Sequence, residues 1–280
     1  MTKFITAMAS LMMVITSCSA EPELGAKVKL YAINCGSMEF FDMAAFSSNG
    51  DFDGQASDLA NPCFLIRHSD GDLLWDTGLP QSIADMTDGV KSSLYNMSVS
   101  RKLSEQIAEL GLTPSDIEYV SLSHYHFDHS GNSNLFKSST FIANDAERRF
   151  VLSGDKAADK QSSDAYLELK DSKTIVFKDE YDVFDDGTVQ ILSMPGHTPG
   201  NSALLVRLAN SGAILLSGDL HILQRGRALR AVPTFNYDPA ATLLSMDLFE
   251  AIAERENARV VVQHDKSDFE ALPQFPAYLD

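Results

Sequence analysis

Three histidines and an aspartate fall within six positions, His124, His126, Asp128 and His129, in a chain of 280 residues with seven histidines in all. Imidazole nitrogen and carboxylate oxygen are natural ligands for divalent transition metals. Alternate residues on a strand end or tight loop project to one side. His124 and His126 can therefore grip one ion, while Asp128 and His129 face a second as the chain turns. Metal sites of this composition usually do hydrolytic chemistry. A polar loop that merely happens to carry histidines is the competing reading, and this density of ligand-type residues argues against it.

A dinuclear centre needs further ligands from other strand ends, and the sequence offers three. Pro195-Gly196-His197-Thr198-Pro199-Gly200 places a histidine in a Gly/Pro-rich turn after an apolar run. Ser217-Gly218-Asp219 ends another run with a carboxylate, which can bridge two cations, and Val260 to His264 ends the last with a histidine. An isolated histidine is more often a core or surface residue than a ligand, but three candidates at three strand ends reverse that expectation. Asp76, in Trp75-Asp76-Thr77-Gly78, reads as an acceptor that orients ligands or as a turn residue. His68, in a turn between two runs, reads as solvated.

Positioning these residues falls to short apolar runs and the helices between them. Strand-like runs are Val28 to Ile33, Phe64 to Arg67, Leu73 to Trp75, Ile117 to Leu122, Phe141 to Ala143, Thr174 to Phe177, Val189 to Ser193, Ala203 to Leu208, Ile214 to Ser217 and Val260 to Gln263. Helical patterns cover Ser100 to Leu110, Asn144 to Leu152, Lys156 to Leu169 and a segment opened by Asp238-Pro239, in which Leu244, Leu248, Phe249 and Ile252 share a face. Strands that pair locally, then helices, then the same scheme again predict an α/β fold of four layers, two sheets face to face with helices outside. The irregular stretch from Phe40 to Pro62 carries Phe40, Phe41, Phe46 and Phe52, either as anchors on the core or as the wall of an apolar pocket.

The first residues read as a processing signal, not as fold. Lys3 precedes an apolar stretch from Phe4 to Ile15 that is too short for a stable membrane anchor. Residues 1–20 then form a signal peptide and 21–280 the functional domain. Ile15-Thr16-Ser17-Cys18 resembles a bacterial lipobox, with Cys18 lipidated; simple cleavage after Ala20 is the alternative. Either way the expected location is exported, periplasmic or on the outer membrane, with membrane contact only through the lipid. The net charge of -17 excludes a nucleic-acid binder, which needs the opposite sign. Cys35 and Cys63 remain either to pair in an oxidising compartment or as two buried thiols.

Together, His124-x-His126-x-Asp128-His129, His197, Asp219 and His264, with Asp76-Thr77-Gly78 upstream, resemble the metallo-β-lactamase superfamily from about Val28 onward. That resemblance implies an αβ/βα sandwich holding two divalent metals, usually zinc. It implies that His124, His126 and His197 bind one ion, that Asp128, His129 and His264 bind the other, and that Asp219 bridges them.

Departures narrow the substrate, since a fold alone does not. True β-lactamases lack the bridging aspartate, and flavodiiron proteins carry a glutamate where this chain has His126. Glyoxalase II adds a helical glutathione domain, for which the 16 residues after His264 leave no expected room. Segments 61–67, 74–79 and 232–236 and the final Gln263-His264-Asp265 look like the N-acyl homoserine lactonase family, implying opening of a small-molecule lactone by a water acidified between two cations. Asp128 or Asp219 would pass the proton onward, and Met38, Phe40, Phe41 and Phe46 would suit an acyl chain. Lactonases of this family usually carry a tyrosine two or three residues after the bridging aspartate. Here those positions are His221 and Ile222, so His221 is expected to donate a hydrogen bond, to protonate the leaving alkoxide, or simply to line the cleft. The alternatives are an exported hydrolase of another ester, an organophosphate or a β-lactam, and a non-enzymatic metal-binding lipoprotein.

Overall fold

A computed structural model of the chain describes residues 28–154 and 160–280; the signal read around Cys18 and the first residues of the helix expected from Lys156 lie outside them. The first sheet contains β1 (Lys29–Phe40), β2 (Ser57–His68), β3 (Gly71–Trp75), β4 (Val90–Lys91), β5 (Tyr95–Ser98), β6 (Tyr119–Ser121), β7 (Thr140–Asn144) and β8 (Thr174–Phe177), in the order β4-β5-β1-β2-β3-β6-β7-β8. The second contains β9 (Glu180–Asp182), β10 (Val189–Ser193), β11 (Ser202–Leu208), β12 (Gly212–Leu216) and β13 (Arg259–Val261), in the order β13-β12-β11-β10-β9. Between them run α1 (Leu103–Ala108), α2 (Phe127–Ser130), α3 (Asp145–Leu152), α4 (Lys160–Leu167), α5 (Gln224–Leu229), α6 (Pro239–Arg255) and α7 (Lys266–Glu270).

Strands apolar on both sides dictate the layering. In β2, Phe64 and Ile66 enter the core between the sheets, while Cys63 and Leu65 point outward to residues of α1, α3 and α4. In β11, Leu204, Val206 and Leu208 face the second strand layer's partner sheet, and Ala203 and Leu205 face α6 through Met246, Phe249 and Ile252. Side chains alternate along a strand, so a continuous apolar run is what a strand covered on both faces requires. Each large apolar side chain buried this way contributes about 1.5–3 kcal/mol. The result is the four-layer αβ/βα sandwich expected from the sequence.

Several local expectations are corrected. β1 runs on to Phe40, and β2 begins at Ser57, so the irregular stretch shrinks to residues 41–56. A register shift between Asn34 and Ser37 bends β1 where Pro62 of β2 opposes Asn34. The face of α6 turned to the core carries Thr242, Ser245, Met246, Phe249 and Ile252; Leu244 is 71% exposed and Leu248 49%. Helical spacing groups Leu244 and Leu248 with the apolar set, but α6 is apolar on more than one side and packing chooses among them. His68 is buried, stacked on Phe184 at 4.1 Å and bonded through Nε2 to Asp186 at 3.0 Å, instead of solvated. Cys35 and Cys63 are joined as a disulfide between β1 and β2.

The topology gathers the functional residues at one edge. β3, β6, β7 and β8 run parallel, as do β12 and β13. Asp76, the His124–His129 segment, Asp219 and His264 all follow the carboxyl ends of these strands, where ligands bind in α/β sheets. Gly78 (φ +69°) lies against the disulfide so closely that a Cβ there would sit 2.2 Å from Cys35 Cβ, which only glycine tolerates.

Candidate metal centre

All seven residues expected as ligands converge in two groups, His124, His126, His197 and Asp219 in one and Asp128, His129 and His264 in the other. In the first, His126 Nδ1 lies 2.9 Å from His124 Nε2 and 3.0 Å from His197 Nε2. In the second, His129 Nε2 and His264 Nε2 are 3.1 Å apart, and Asp128 Oδ2 is 3.6 Å from one and 3.5 Å from the other. Asp219 stands between the groups. Its Oδ2 is 3.4 Å from His197 Nε2 and 3.7 Å from His124 Nε2, and its Oδ1 is 3.2 Å from His129 Nε2 and 3.1 Å from His264 Nε2. One oxygen per group is the geometry of a bridging carboxylate.

These donors fit two divalent cations. Facing imidazole nitrogens can share at most one proton per pair, and His126 Nδ1 faces two such nitrogens. Tetrahedral ligands at about 2.0–2.1 Å from an ion sit about 3.3 Å from one another, close to the observed spacing. Asp219 Oδ1 is buried with no hydrogen bond, an arrangement that costs free energy unless a cation pairs with it.

Electrostatics separates the groups. Burial, helped by crowded imidazoles, holds His124 and His126 well below the ordinary histidine range, and burial also lowers His197. All three are thus in the neutral form that ligates metal. Burial opposes charge on His129 and His264 too, but the Asp219 and Asp128 carboxylates outweigh it and raise both. Burial resists ionisation of Asp219, and the imidazoles of His264, His129 and His124 override it, holding the carboxyl well below its usual value.

The outer ring nitrogens are held as well. His129 Nδ1 pairs with Asp76 Oδ2 at 2.9 Å, and Gln263 Nε2 donates to that same oxygen at 2.9 Å. Asp76 Oδ1 accepts from Ser123 N at 2.6 Å. Gln263 Oε1 accepts from Trp75 Nε1 and from Gly218 N, each at 3.0 Å. Asp76 is therefore both things the sequence allowed, a turn residue at φ 61° and an orienting acceptor. His264 Nδ1 donates to Ala60 O at 2.7 Å, and His197 Nδ1 pairs with Asn236 Oδ1 at 3.0 Å. Sequence reasoning missed Gln263 and Asn236 as supports; the position of Gln263 beside His264 at a strand end was the available signal.

His221 is not where a catalytic residue is needed. Its ring lies against Phe249 at 5.4 Å, with Nε2 3.8 Å from Glu250 Oε1. It lines a separate cleft with Gln224, Arg227 and Glu250, and burial lowers its pKa to about 4. The chain is extended at His221, so neighbouring side chains point opposite ways, and Ile222 takes the metal-side position.

Above the metal ligands lies a cavity of about 340 Å³, walled by Met38, Phe40, Phe46, Leu59, Ile222 and Phe235 and floored by His126, Asp128, Asp219 and His264. Aromatic contacts run from His197 to Phe235 (5.8 Å), Phe46 (5.4 Å), Phe40 (4.9 Å) and Tyr95 (4.9 Å). The loop of residues 41–56 thus does both jobs proposed for it, Phe46 facing the cavity and Phe52 buried in the packing beneath. Phe41 does neither and is 46% exposed.

Residues 56–264 match the family model described as the metallo-beta-lactamase superfamily. An N-acyl homoserine lactonase AttM from Azorhizobium caulinodans is 28% identical over 263 residues, 90% of this chain and 99% of the relative. Among solved structures, B. thuringiensis AiiA (a variant with N-decanoyl-L-homoserine bound at the active site) superposes with a TM-score of 0.76 at 25% identity, covering 90% of this chain and 98% of that one. An N-acyl homoserine lactone hydrolase with N-hexanoyl-L-homoserine bound at its catalytic metal center gives the same TM-score of 0.76, identity and coverage.

Proposed function

Because the chain belongs to the metallo-beta-lactamase superfamily, and its donor set is that of a metal-dependent hydrolase, we propose that it opens the lactone ring of N-acyl homoserine lactones with two ions, zinc by choice of ligands. Five imidazoles and two carboxylates without thiolate suit zinc or a similar divalent ion. The observation that carries the substrate reading is the apolar cavity opening directly onto the ligand cluster. An acyl tail fits its wall while the polar lactone meets its floor. The named activity of the relatives and their bound homoserine products support the same reading.

Ions held there supply Lewis-acid polarisation of the carbonyl and a water acidic enough to attack near neutral pH. The chain's residues do the rest. The aromatic wall excludes bulk water and orients the acyl amide so that the ring faces His126, Asp128, Asp219 and His264. Asp128, on the cavity floor, takes the proton from the attacking water and returns it to the ring oxygen as the carbonyl carbon–oxygen bond breaks. One water is consumed: its hydroxyl completes a carboxylic acid, which releases a proton to solvent to become the carboxylate, and its other hydrogen completes the free hydroxyl. His221 takes no part. The expected export of the chain fits the Cys35–Cys63 disulfide, since such bonds persist in oxidising compartments.

The experiment is turnover of N-acyl homoserine lactones of several chain lengths beside a β-lactam, an organophosphate and a simple aryl ester. Preference for the lactones supports the proposal. A metal-replete protein that prefers any of the others refutes it.

A further inference from the structure

Glu147 is a buried carboxylate that the reaction does not use, 2% exposed, in the first turns of α3. Its Oε1 accepts from Tyr125 N at 2.8 Å, and its Oε2 accepts from Gly200 N at 2.8 Å. Tyr125 lies between His124 and His126, and Gly200 closes the turn that carries His197. One side chain therefore grips both loops that supply the three imidazoles of the first ion. The second group is held through its ring nitrogens instead: Asp76 Oδ2 takes His129 Nδ1 and also Gln263 Nε2, next to His264, and the Ala60 carbonyl takes His264 Nδ1.

The approach is too close for any other residue on the far loop. A Cβ on Gly200 would lie 2.6 Å from Glu147 Cβ and 2.5 Å from Asn144 Oδ1. Burial is costly to this carboxyl and pushes its pKa up to about 7, against the two backbone N–H groups that favour its charge. A carboxylate kept at such a cost, with both oxygens spent on ligand-bearing loops, has a positioning task.

We propose that Glu147 is the positioning residue that sets the spacing of the His124/His126 and His197 loops, and that affinity for the first ion depends on its two oxygens. The proposal rests on the two-metal reading but not on the choice of substrate. In Glu147→Gln the new amide nitrogen faces a backbone N–H, so one of the two loop contacts is lost.

The test is zinc binding followed by chelator competition, with melting temperature recorded for metal-free and zinc-loaded protein. Wild-type protein is expected to release two ions in separable steps. In Glu147→Gln the ion also lost from His197→Ala should weaken by roughly ten- to a hundredfold, while the other stays as in wild type. The rise in melting temperature on loading should shrink, because stabilisation follows affinity. Glu118→Gln removes a carboxylate that accepts from Asp72 N at the far end of β3, and should leave both ions unchanged. If Glu147→Gln keeps wild-type affinity for both ions, or destabilises metal-free and loaded forms equally, Glu147 is only structural and the proposal fails. If that variant does not fold, Gly200→Ala attacks the same clamp from the other loop, and unchanged zinc affinity there overturns it equally. Wild-type protein that binds fewer than two ions overturns the two-metal reading beneath the proposal instead.

Discussion

The two halves of the metal centre are built from similar ligands but held by opposite means. Around the first ion, His124, His126 and His197 are neutral imidazoles whose pKa values burial depresses, and His197 leans on the neutral amide of Asn236. Around the second, His129 and His264 sit among Asp219, Asp128 and Asp76. The first half depends on loop spacing, the second on charge. Ions held by the two groups would therefore meet different surroundings, a less negative one at His124, His126 and His197 and a more negative one at Asp128, His129 and His264.

Removing the shared element should have the largest effect. Asp219→Ala is expected to release ions from both halves and lower lactone turnover by at least roughly 10³-fold, read by metal analysis and initial rates; retention of two ions would break the comparison at its hinge. Next come the variants that separate the halves. His197→Ala and His264→Ala should each leave about one ion per chain, and the ion left in His197→Ala should resist chelator longer. Equal resistance would mean that charge does not distinguish the sites.

Outer partners should give smaller, graded losses. Asp76→Asn removes a negative charge from His129 and should weaken the second ion by about ten- to a hundredfold, whereas Asn236→Ala should weaken the first toward the lower end of that range. Competition with a chelator ranks the two. The last effect is on stability, not on metal affinity, and concerns pH. Glu147 titrates near 7 in the folded chain against 4.5 for a free glutamate. Between those values the folded state binds more protons, so its contribution to stability is complete below about pH 4.5 and is lost as pH rises through 7. In metal-free protein, denaturant unfolding of wild type and Glu147→Gln at pH 5 and pH 8 should diverge by up to about 3 kcal/mol, with wild type the one that loses stability at pH 8.

What was legible in the sequence was what lies close along the chain. His124 to His129 form a single turn after β6, and His197, Asp219 and His264 each end a strand whose apolar run is plain, so ligands and layers could be read together. His221 could not, because spacing from Asp219 does not say which way an extended residue points. Glu147 carried no signal either. Its partners lie 22 and 53 residues away and are backbone groups, which leave no mark on residue type. The buried face of α6 is not legible for a related reason, since its surplus of leucines fits more than one face and Leu244 and Leu248 are exposed. Short edge strands such as β4 exist only because β5 pairs with them.

The direct test is hydrolysis of N-hexanoyl- and N-decanoyl-homoserine lactone by protein shown to carry two zinc ions per chain. Ring opening that disappears on chelation, returns with zinc, and is lost in Asp219→Ala is the predicted result. A chain that holds both ions yet leaves both lactones intact would contradict it.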